Sequence, residues 1–174
     1  TVAVVTNIDP EHLDHYGDFE RLLAAFRDFI DKVPFFGRAV LCQDHPAVRT
    51  MIPTVTRKVI TYGLTLGASY RAEELLFSGL SSRFVALRHG ERLGPVEIPM
   101  PGAHNVQNAL AALAVADFLG IPCATFQDAV RGFGGVGRRF TVRGRIISDG
   151  DEIMVVEDYG HHPAETRATL SDNR

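Results

Sequence analysis

The feature that most constrains the fold is an alternation of short apolar runs with helical segments in the first part of the chain. Residues 2–5 form an apolar run that predicts a strand buried on both faces, as in a parallel sheet. The next two strands are predicted at 38–42 and 59–62, with a short helix at 47–52 between them. This strand–helix–strand alternation favours an α/β layer built on a mostly parallel sheet flanked by helices.

The first predicted helix has its own start, face and stop signals. Asp18 is a suitable N-cap, and Pro34 stops the helix because proline cannot continue it. Its apolar residues repeat at helical spacing and share one face: Phe19, Leu22, Leu23, Phe26 and Ile30.

The middle of the chain changes character. Short strand-like runs at 70–77, 83–88 and 96–100 are separated by Ser, Gly and Pro, which predicts an antiparallel appendage to the main sheet. An alanine-rich helix is predicted over 104–119, where Val106, Leu110 and Leu113 form the apolar stripe and the alanines allow close packing. A shorter helix is predicted over 125–133.

A glycine-rich segment at 134–137 predicts a hinge. The strand-like runs at 140–147 and 153–156, with a helix starting at Pro163, indicate the start of a second α/β domain. We therefore expect residues 1–137 to belong to one domain and 138–174 to open another. Since the chain starts directly in a strand and stops soon after a helix start, we expect it to be a piece of a longer protein.

Composition excludes several classes of protein. Eighteen basic and 21 acidic side chains give a net charge of −3, which argues against an indiscriminate binder of polyanions such as nucleic acid. The sequence has no apolar run near the roughly 18 residues that a membrane helix needs, and it lacks a signal peptide pattern. Cys42 and Cys123 have no metal-site spacing, so we expect a reducing, cytoplasmic compartment.

The first polar cluster follows the first predicted strand, where open α/β sheets place their ligands. It offers five metal-binding or acid–base groups within seven positions: Asp9, Glu11, His12, Asp14 and His15. The alternative is a solvated loop whose acidic residues cap the next helix.

Two further clusters fit a nucleotide. Asn105 and Asn108 lie three positions apart at a helix start, so they share one face of the helix. The free N–H groups and the helix dipole at that end favour binding of a base edge or of phosphates. Simple helix capping is the alternative. Arg138 and Arg139 follow the predicted hinge and could close on phosphates, although a solvated basic pair would have the same sequence.

The fourth cluster follows the last predicted strand and begins a helix at Pro163. Asp158 could accept hydrogen bonds from a ribose, and His161 or His162 could contact a carboxylate substrate. Adjacent histidines also suggest zinc, but their spacing matches no standard ligand set. Capping with solvated histidines is the remaining alternative.

The chain contains no glycine-rich phosphate loop of the G-x-x-x-x-G-K-[ST] type. Its two lysines, Lys32 and Lys58, are preceded by Asp31 and Arg57 rather than by glycine. This segment alone therefore lacks the usual cradle for a triphosphate.

Taken together and in order, these clusters resemble the Mur ligase family, which builds the peptide of bacterial cell-wall precursors. The matching stretches extend over almost the whole chain: TNIDPEHLDHYGDFE, PFFGRAVLC, PGAHNVQNALAALAVA, GGVGRRF and EDYGHHPAE. The resemblance implies three domains, of which this chain would carry the latter part of the central ATP-binding domain and the opening of the C-terminal, amino-acid-binding domain. The phosphate loop would then precede Thr1, and the missing N-terminal and C-terminal parts would be partners within the same protein.

The resemblance also implies roles for individual residues. His12 matches a catalytic histidine that helps to hold a second Mg²⁺, although magnesium ordinarily prefers oxygen ligands and histidine suits manganese or zinc better. The preceding residue is Glu11, where the family often has Asp. The other implied roles are ATP binding for Asn105, Asn108 and Asp158, catalysis and ATP binding for Arg139, and substrate binding for Tyr159 and His161.

The implied reaction has two steps and uses ATP and Mg²⁺ as cofactors. ATP phosphorylates the lactyl carboxylate of UDP-N-acetylmuramate, and L-alanine then attacks the acyl phosphate. The DYGHHP stretch favours this alanine-adding branch over the related ligase that recycles murein tripeptide. Two other hypotheses stay open: a non-catalytic nucleotide-binding module, and a metallohydrolase built on His12, His161 and His162.

Overall fold

The computed structural model describes residues 1–10, 13–148, 151–161, 163, 166 and 170, and within them the strands form two sheets. Neighbouring strands pair in parallel from the first to the fourth and antiparallel from the fourth to the sixth. In spatial and chain order the first sheet contains β1 (Val2–Val5), β2 (Arg38–Cys42), β3 (Val59–Gly63), β4 (Tyr70–Ser78), β5 (Ser81–Arg88) and β6 (Glu91–Ile98). The second is an antiparallel pair of β7 (Thr141–Ser148) and β8 (Asp151–Glu157).

Four of the described helices lie close to the places that the sequence predicts, and the short helix at Leu13–Tyr16 is one that it does not predict. Asp18 caps the second helix, since its carboxylate accepts the N–H of Arg21 at 2.8 Å. The described helices are α1 (Leu13–Tyr16), α2 (Phe19–Asp31), α3 (Pro46–Met51), which continues into a 3₁₀ turn at Ile52–Thr54, α4 (Ala103–Phe118) and α5 (Cys123–Arg131). A mixed α/β fold with an antiparallel appendage is therefore confirmed.

The main sheet lies between two helical layers. Along β2, Ala39 and Leu41 belong to the apolar cluster that contains α2 and α3, while Val40 and Cys42 belong to the cluster that contains α4 and α5. This strand is thus buried on both faces, the arrangement expected of a parallel strand between helices. The stripe predicted for α4 is confirmed, because three of its apolar side chains are at most 1% exposed: Val106, Leu110 and Leu113.

The prediction that residues 2–5 are buried on both faces is wrong. Ala3 and Val5 are buried, but Val4 is 40% exposed. Among the described residues β1 is the edge strand of the sheet and pairs with β2 alone. The other face of β1 points towards α4 but is not covered by it. The gap between the strand and the helix forms a groove, and Val4 is one of the residues that line it.

The strand predicted at 96–100 in fact starts earlier, at Glu91, and runs through Pro95. Pro95 lies opposite Val85 of β5. A proline is tolerated there because β6 is the outer strand of the described sheet, where a missing N–H leaves no neighbour unpaired. The carbonyl of Pro95 accepts a hydrogen bond from Gln127 of α5 at 2.9 Å, which ties that helix to the appendage.

The helix predicted to start at Pro163 lies largely outside the described residues. Within the described part of the chain, none of the helices has both the length and the apolar character that spanning a lipid bilayer requires.

Truncating the α4 stripe should destabilise the fold. Leu110 is fully buried, so Leu110→Ala should lower the free energy of unfolding by about 2–5 kcal/mol through lost burial and a residual cavity. Leu119, one residue past the same helix, is 62% exposed, and Leu119→Ala should change stability by about 0.5 kcal/mol or less. Urea unfolding checks both variants, and equal losses would contradict this packing of α4.

Candidate functional site

Parallel pairing brings the carboxyl ends of β1, β2 and β3 to one edge of the sheet, and the first turn of α4 lies at the same edge. Thr6 follows β1 directly, Gln43 follows β2, and Leu64 follows β3. The polar side chains that come after each strand therefore meet, as expected for the ligand-binding edge of an open α/β sheet.

Asp44, two residues past β2, has the most hydrogen bonds at this edge. Its carboxylate accepts the N–H of Leu64 at 2.6 Å, and the N–H and hydroxyl of Thr65 at 3.0 and 2.7 Å. It also accepts the side-chain amide of Gln107, in the first turns of α4, at 2.6 Å. A single carboxylate thus joins β2, the loop after β3, and α4.

The surroundings of Asp44 favour its charged form. Burial by itself raises the pKa of a carboxyl group, but the bonds from Leu64, Thr65 and Gln107 outweigh it and hold the pKa of Asp44 below its ordinary value of 3.8. The fit is close, since a Cβ on Gly63 would lie 2.5 Å from the Asp44 carboxylate. Only glycine leaves room for the carboxylate at this point.

A second polar group lies just past β1. Asp9 accepts a short hydrogen bond from the Asn7 side chain, and its carboxylate lies 3.4 Å from Nε2 of His45. The other ring nitrogen of His45, Nδ1, is buried and has no hydrogen-bond partner among the residues that the structure describes. The first predicted cluster and the β2 loop are therefore in direct contact.

The start of α4 shows how the two asparagines are used. The N-cap position is Gly102, with φ of 94°, and no side chain in the described part of the chain caps the helix there. Asn105 donates its side-chain amide to the carbonyl of Pro101 at 2.6 Å, which stabilises the turn before the helix. Neither Asn105 nor Asn108 occupies the N-cap, so simple capping does not account for the pair.

An open, mostly apolar groove of about 480 Å³ runs between β1 and α4. Val4 and Thr6 line it from the strand, and Asn108 lines it from the helix together with small and branched apolar residues. The groove thus brings together Thr6, from the start of the first matching stretch, and Asn108 of the second cluster, while none of the described acid–base groups of the first cluster lines it.

The third and fourth clusters meet around the predicted hinge. Asp158, just past β8, accepts the N–H of Phe140 at 2.9 Å and the N–H of Gly160 at 2.7 Å. The N–H of Tyr159 donates to the carbonyl of Arg138 at 2.7 Å. Both neighbours of Arg139 are therefore bonded to the segment that carries Asp158.

Side-chain contacts reinforce this second group. The Arg138 guanidinium lies 4.7 Å from the centre of the Tyr159 ring and 3.4 Å from the Glu157 carboxylate. The rings of Tyr159 and His161 meet edge to face at 5.4 Å. Arg138 and Phe140 both have positive φ, 61° and 45°, which is uncommon for residues other than glycine. Arg138 therefore contacts Tyr159 and Glu157 with a side chain that is 62% exposed.

Several predicted residues lie outside the described part of the chain: Glu11, His12, His162 and Glu165. Among the described residues, no group of three His, Cys, Asp or Glu side chains could hold a metal ion. Of the three histidines in the metallohydrolase hypothesis only His161 is described, and the structure gives that hypothesis no support.

Sequence reasoning missed Asp44, His45 and Gln107. A usable signal was present for the first two, since they follow a fully buried strand just as Thr6 and Asn7 follow β1. No local sequence signal could have pointed to Gln107, because its partner Asp44 is 63 positions away in the chain.

The lowered pKa of Asp44 predicts an acid-dependent loss of stability. A carboxyl whose pKa is depressed by folding stabilises the protein above its ordinary pKa of 3.8, and this contribution disappears as the pH falls through the lowered value. The unfolding free energies of the protein and of Asp44→Ala should therefore differ most near pH 7 and converge in acid.

Urea unfolding between about pH 7 and pH 3 measures that difference. Asp128, whose side chain is 77% exposed on α5, provides the control variant Asp128→Ala. A loss for Asp44→Ala no larger than that of the control at every pH would contradict the assignment.

Comparison with known proteins adds the family. Residues 1–116 match the sequence model of the Mur ligase middle domain. The whole chain is 52% identical to UDP-N-acetylmuramate–L-alanine ligase of Sorangium cellulosum (strain So ce56) and 48% identical to that of Myxococcus xanthus (strain DK1622). In each case the chain spans 36% of the relative's length.

Solved structures give the same result for the fold. The crystal structure of UDP-N-acetylmuramate–alanine ligase MurC from Thermotoga maritima superposes with a TM-score of 0.79 at 27% identity, over 99% of this chain and 37% of that one. MurF from Acinetobacter baumannii superposes equally well at 23% identity over 99% of this chain and 38% of that one, which shows the shared fold. The match over residues 1–116 shows that this chain belongs to the Mur ligase family.

Proposed function

We propose that this chain is part of an ATP-dependent ligase that joins L-alanine to the lactyl carboxylate of UDP-N-acetylmuramate in peptidoglycan precursor synthesis. The observation that carries the proposal is that Thr6 and Asn108, from two separate motifs, line the same groove between β1 and α4. Relatives that bear this activity in their names are about half identical over the whole chain. A cytoplasmic location belongs to the same proposal.

The nucleotide would bind at the start of α4. Asn105 keeps its carbonyl oxygen as an acceptor after its amide has donated to Pro101, and Asn108 faces the groove. The positive end of the helix dipole at the start of α4 favours the negative charge of phosphates. A MurF ligase from Thermotoga maritima, which shares the fold at 21% identity, has been solved in complex with ADP.

Arg139 and Asp158 would act from the second group. We place residues 1–137 in the central domain and 138–174 at the opening of the C-terminal domain, with 134–137 as the hinge. Asp158 holds the backbone next to Arg139 through Phe140, so closure of the hinge would bring Arg139 to the phosphates from an ordered backbone. Tyr159 and His161 would then lie towards the muramoyl or alanine side.

In the first step, an oxygen of the lactyl carboxylate attacks the γ-phosphorus of ATP and ADP leaves. In the second, the amine of L-alanine attacks the carbonyl carbon of the acyl phosphate, loses a proton, and inorganic phosphate leaves. The side chains bind, orient and neutralise charge, and closure keeps water away from the acyl phosphate. Mg²⁺ would supply further neutralisation of phosphate charge, with His12 as the proposed ligand.

The complete protein should release ADP in the presence of UDP-N-acetylmuramate, and the release should depend on L-alanine. Asn108→Ala should lower kcat/KM for ATP by about 100-fold because the amide contributes directly to nucleotide binding. His12→Ala should lower the rate by a similar factor. Gln127→Ala is the control, since this side chain ties α5 to β6 away from the groove and its loss should leave the rate unchanged.

The same assay separates the alternatives. Activity with murein tripeptide and not with L-alanine would replace the proposal by the recycling ligase, and tight binding of Mg-ATP to the present chain alone, measured by calorimetry, would support a nucleotide-binding module. Zinc at one ion per chain in the purified protein would support the metallohydrolase. Near-normal rates for Asn108→Ala would remove that residue from the site.

A further inference from the structure

Two carboxylates tie α4 to the sheet, one near each end of the helix. Near its carboxyl end, Asp117 accepts the hydroxyl of Tyr70 and lies 3.0 Å from Nη1 of Arg88. Near its amino end, Gln107 donates to Asp44 at 2.6 Å. Only the second tie lies at the edge where the strands β1 to β3 end, which is the edge of the proposed nucleotide site.

We propose that Asp44 and Gln107 form a positioning pair that fixes the first turns of α4 against the ends of β2 and β3 and thereby holds Asn105 and Asn108 in register for the nucleotide. This inference rests on the proposed function. Neither residue of the pair is proposed to touch substrate; both act through the position of the helix.

The pair has a rigid base. Asp44 is held by Leu64 and Thr65 through three hydrogen bonds in addition to the one from Gln107. The backbone of Gly63 lies against one side of the carboxylate, since a Cβ at this residue would be only 2.5 Å from it. The neighbouring Gln43 donates to the carbonyl of Leu66 at 3.2 Å and ties the same loop to β2. The carboxylate therefore cannot follow a helix that shifts.

The helix end needs such a tie. Among the described residues, no side chain caps α4 at Gly102, whose positive φ turns the chain sharply into the helix. In the first turn Val106 is the buried apolar side chain, and Ala109 and Leu110 follow it in the next turn. Gln107 lies between Asn105 and Asn108 in sequence, so a link from its amide to a fixed carboxylate sets the axial position of both asparagines.

Gln107→Leu tests the pair most directly in the complete protein, since it removes the link to α4 and leaves Asp44 its three other hydrogen bonds. With saturating UDP-N-acetylmuramate and L-alanine, KM for ATP should rise by about 10-fold as the asparagines lose their register. KM for L-alanine should not change. Tyr70→Phe is the matched control, because it weakens the tie of Asp117 at the far end of α4; it should lower Tm without raising KM for ATP.

A polarity reversal separates positioning from a general loss of stability. In Asp44→Asn/Gln107→Glu, the new amide at position 44 can donate to the new carboxylate at position 107, so the link is restored with its direction reversed. Asp44→Asn/Gln107→Leu cannot form it. Both double variants carry the same change at position 44 and differ at position 107 alone, so KM for ATP should be lower in the first than in the second by about 10-fold.

Failure of this inference is distinguishable from failure of the proposed function. If the unaltered protein shows alanine-dependent ADP release and Gln107→Leu has an unchanged KM for ATP, the positioning pair is overturned while the ligase stands. The same holds if Tyr70→Phe raises KM as much as Gln107→Leu does. If the unaltered protein releases no ADP, the ligase fails; calorimetry with Mg-ATP then tests the pair, and equal affinity of both proteins, or no binding to either, overturns it.

Discussion

The parallel pairing of β1, β2 and β3 determines where the polar chemistry of this chain lies. Strands that run in the same direction must end at the same edge, so residues far apart in sequence converge there without any contact between their motifs being encoded locally. Burial of β2 between two helical layers keeps that edge in place, because a slip of one residue would exchange Val40 and Leu41 between opposite apolar clusters. The arrangement of Thr6, Asp44 and α4 follows from this constraint.

The molecule assembles its candidate site in two separate groups. One group belongs to the main sheet and is held by the Asp44 carboxylate. The other surrounds Arg139 and is held by the Asp158 carboxylate, through the N–H groups of Phe140 and Gly160. In both, an acidic side chain orders backbone and neighbouring side chains.

Most elements could be predicted from sequence because their signals are local. The cap at Asp18, the apolar face of α2 and the alanine-rich stripe of α4 all depend on residues within a few turns of one another. The exposure of Val4 could not be predicted in this way, since it depends on which strands flank β1. The start of β6 at Glu91 was obscured by Pro95, which an outer strand tolerates and an inner one does not.

The site follows the same rule. The residues of the four clusters were recognisable because each motif is contiguous, and the resemblance to the Mur ligases placed them in order. The bond between Asp44 and Gln107 joins residues 63 positions apart and has no local pattern. The roles assigned to His12, Arg139 and the two asparagines stay predictions, because each role is a contact with a ligand.

The close approach of Gly63 to Asp44 has an evolutionary consequence. Because the space for a methyl group at one position is filled by the carboxylate at the other, the two sites cannot vary independently. Within lineages that retain this loop, replacement of the glycine should be accepted only together with a shorter side chain at position 44, a case of epistasis set by van der Waals volume. In aligned sequences, this steric conflict should appear as covariation between positions 44 and 63.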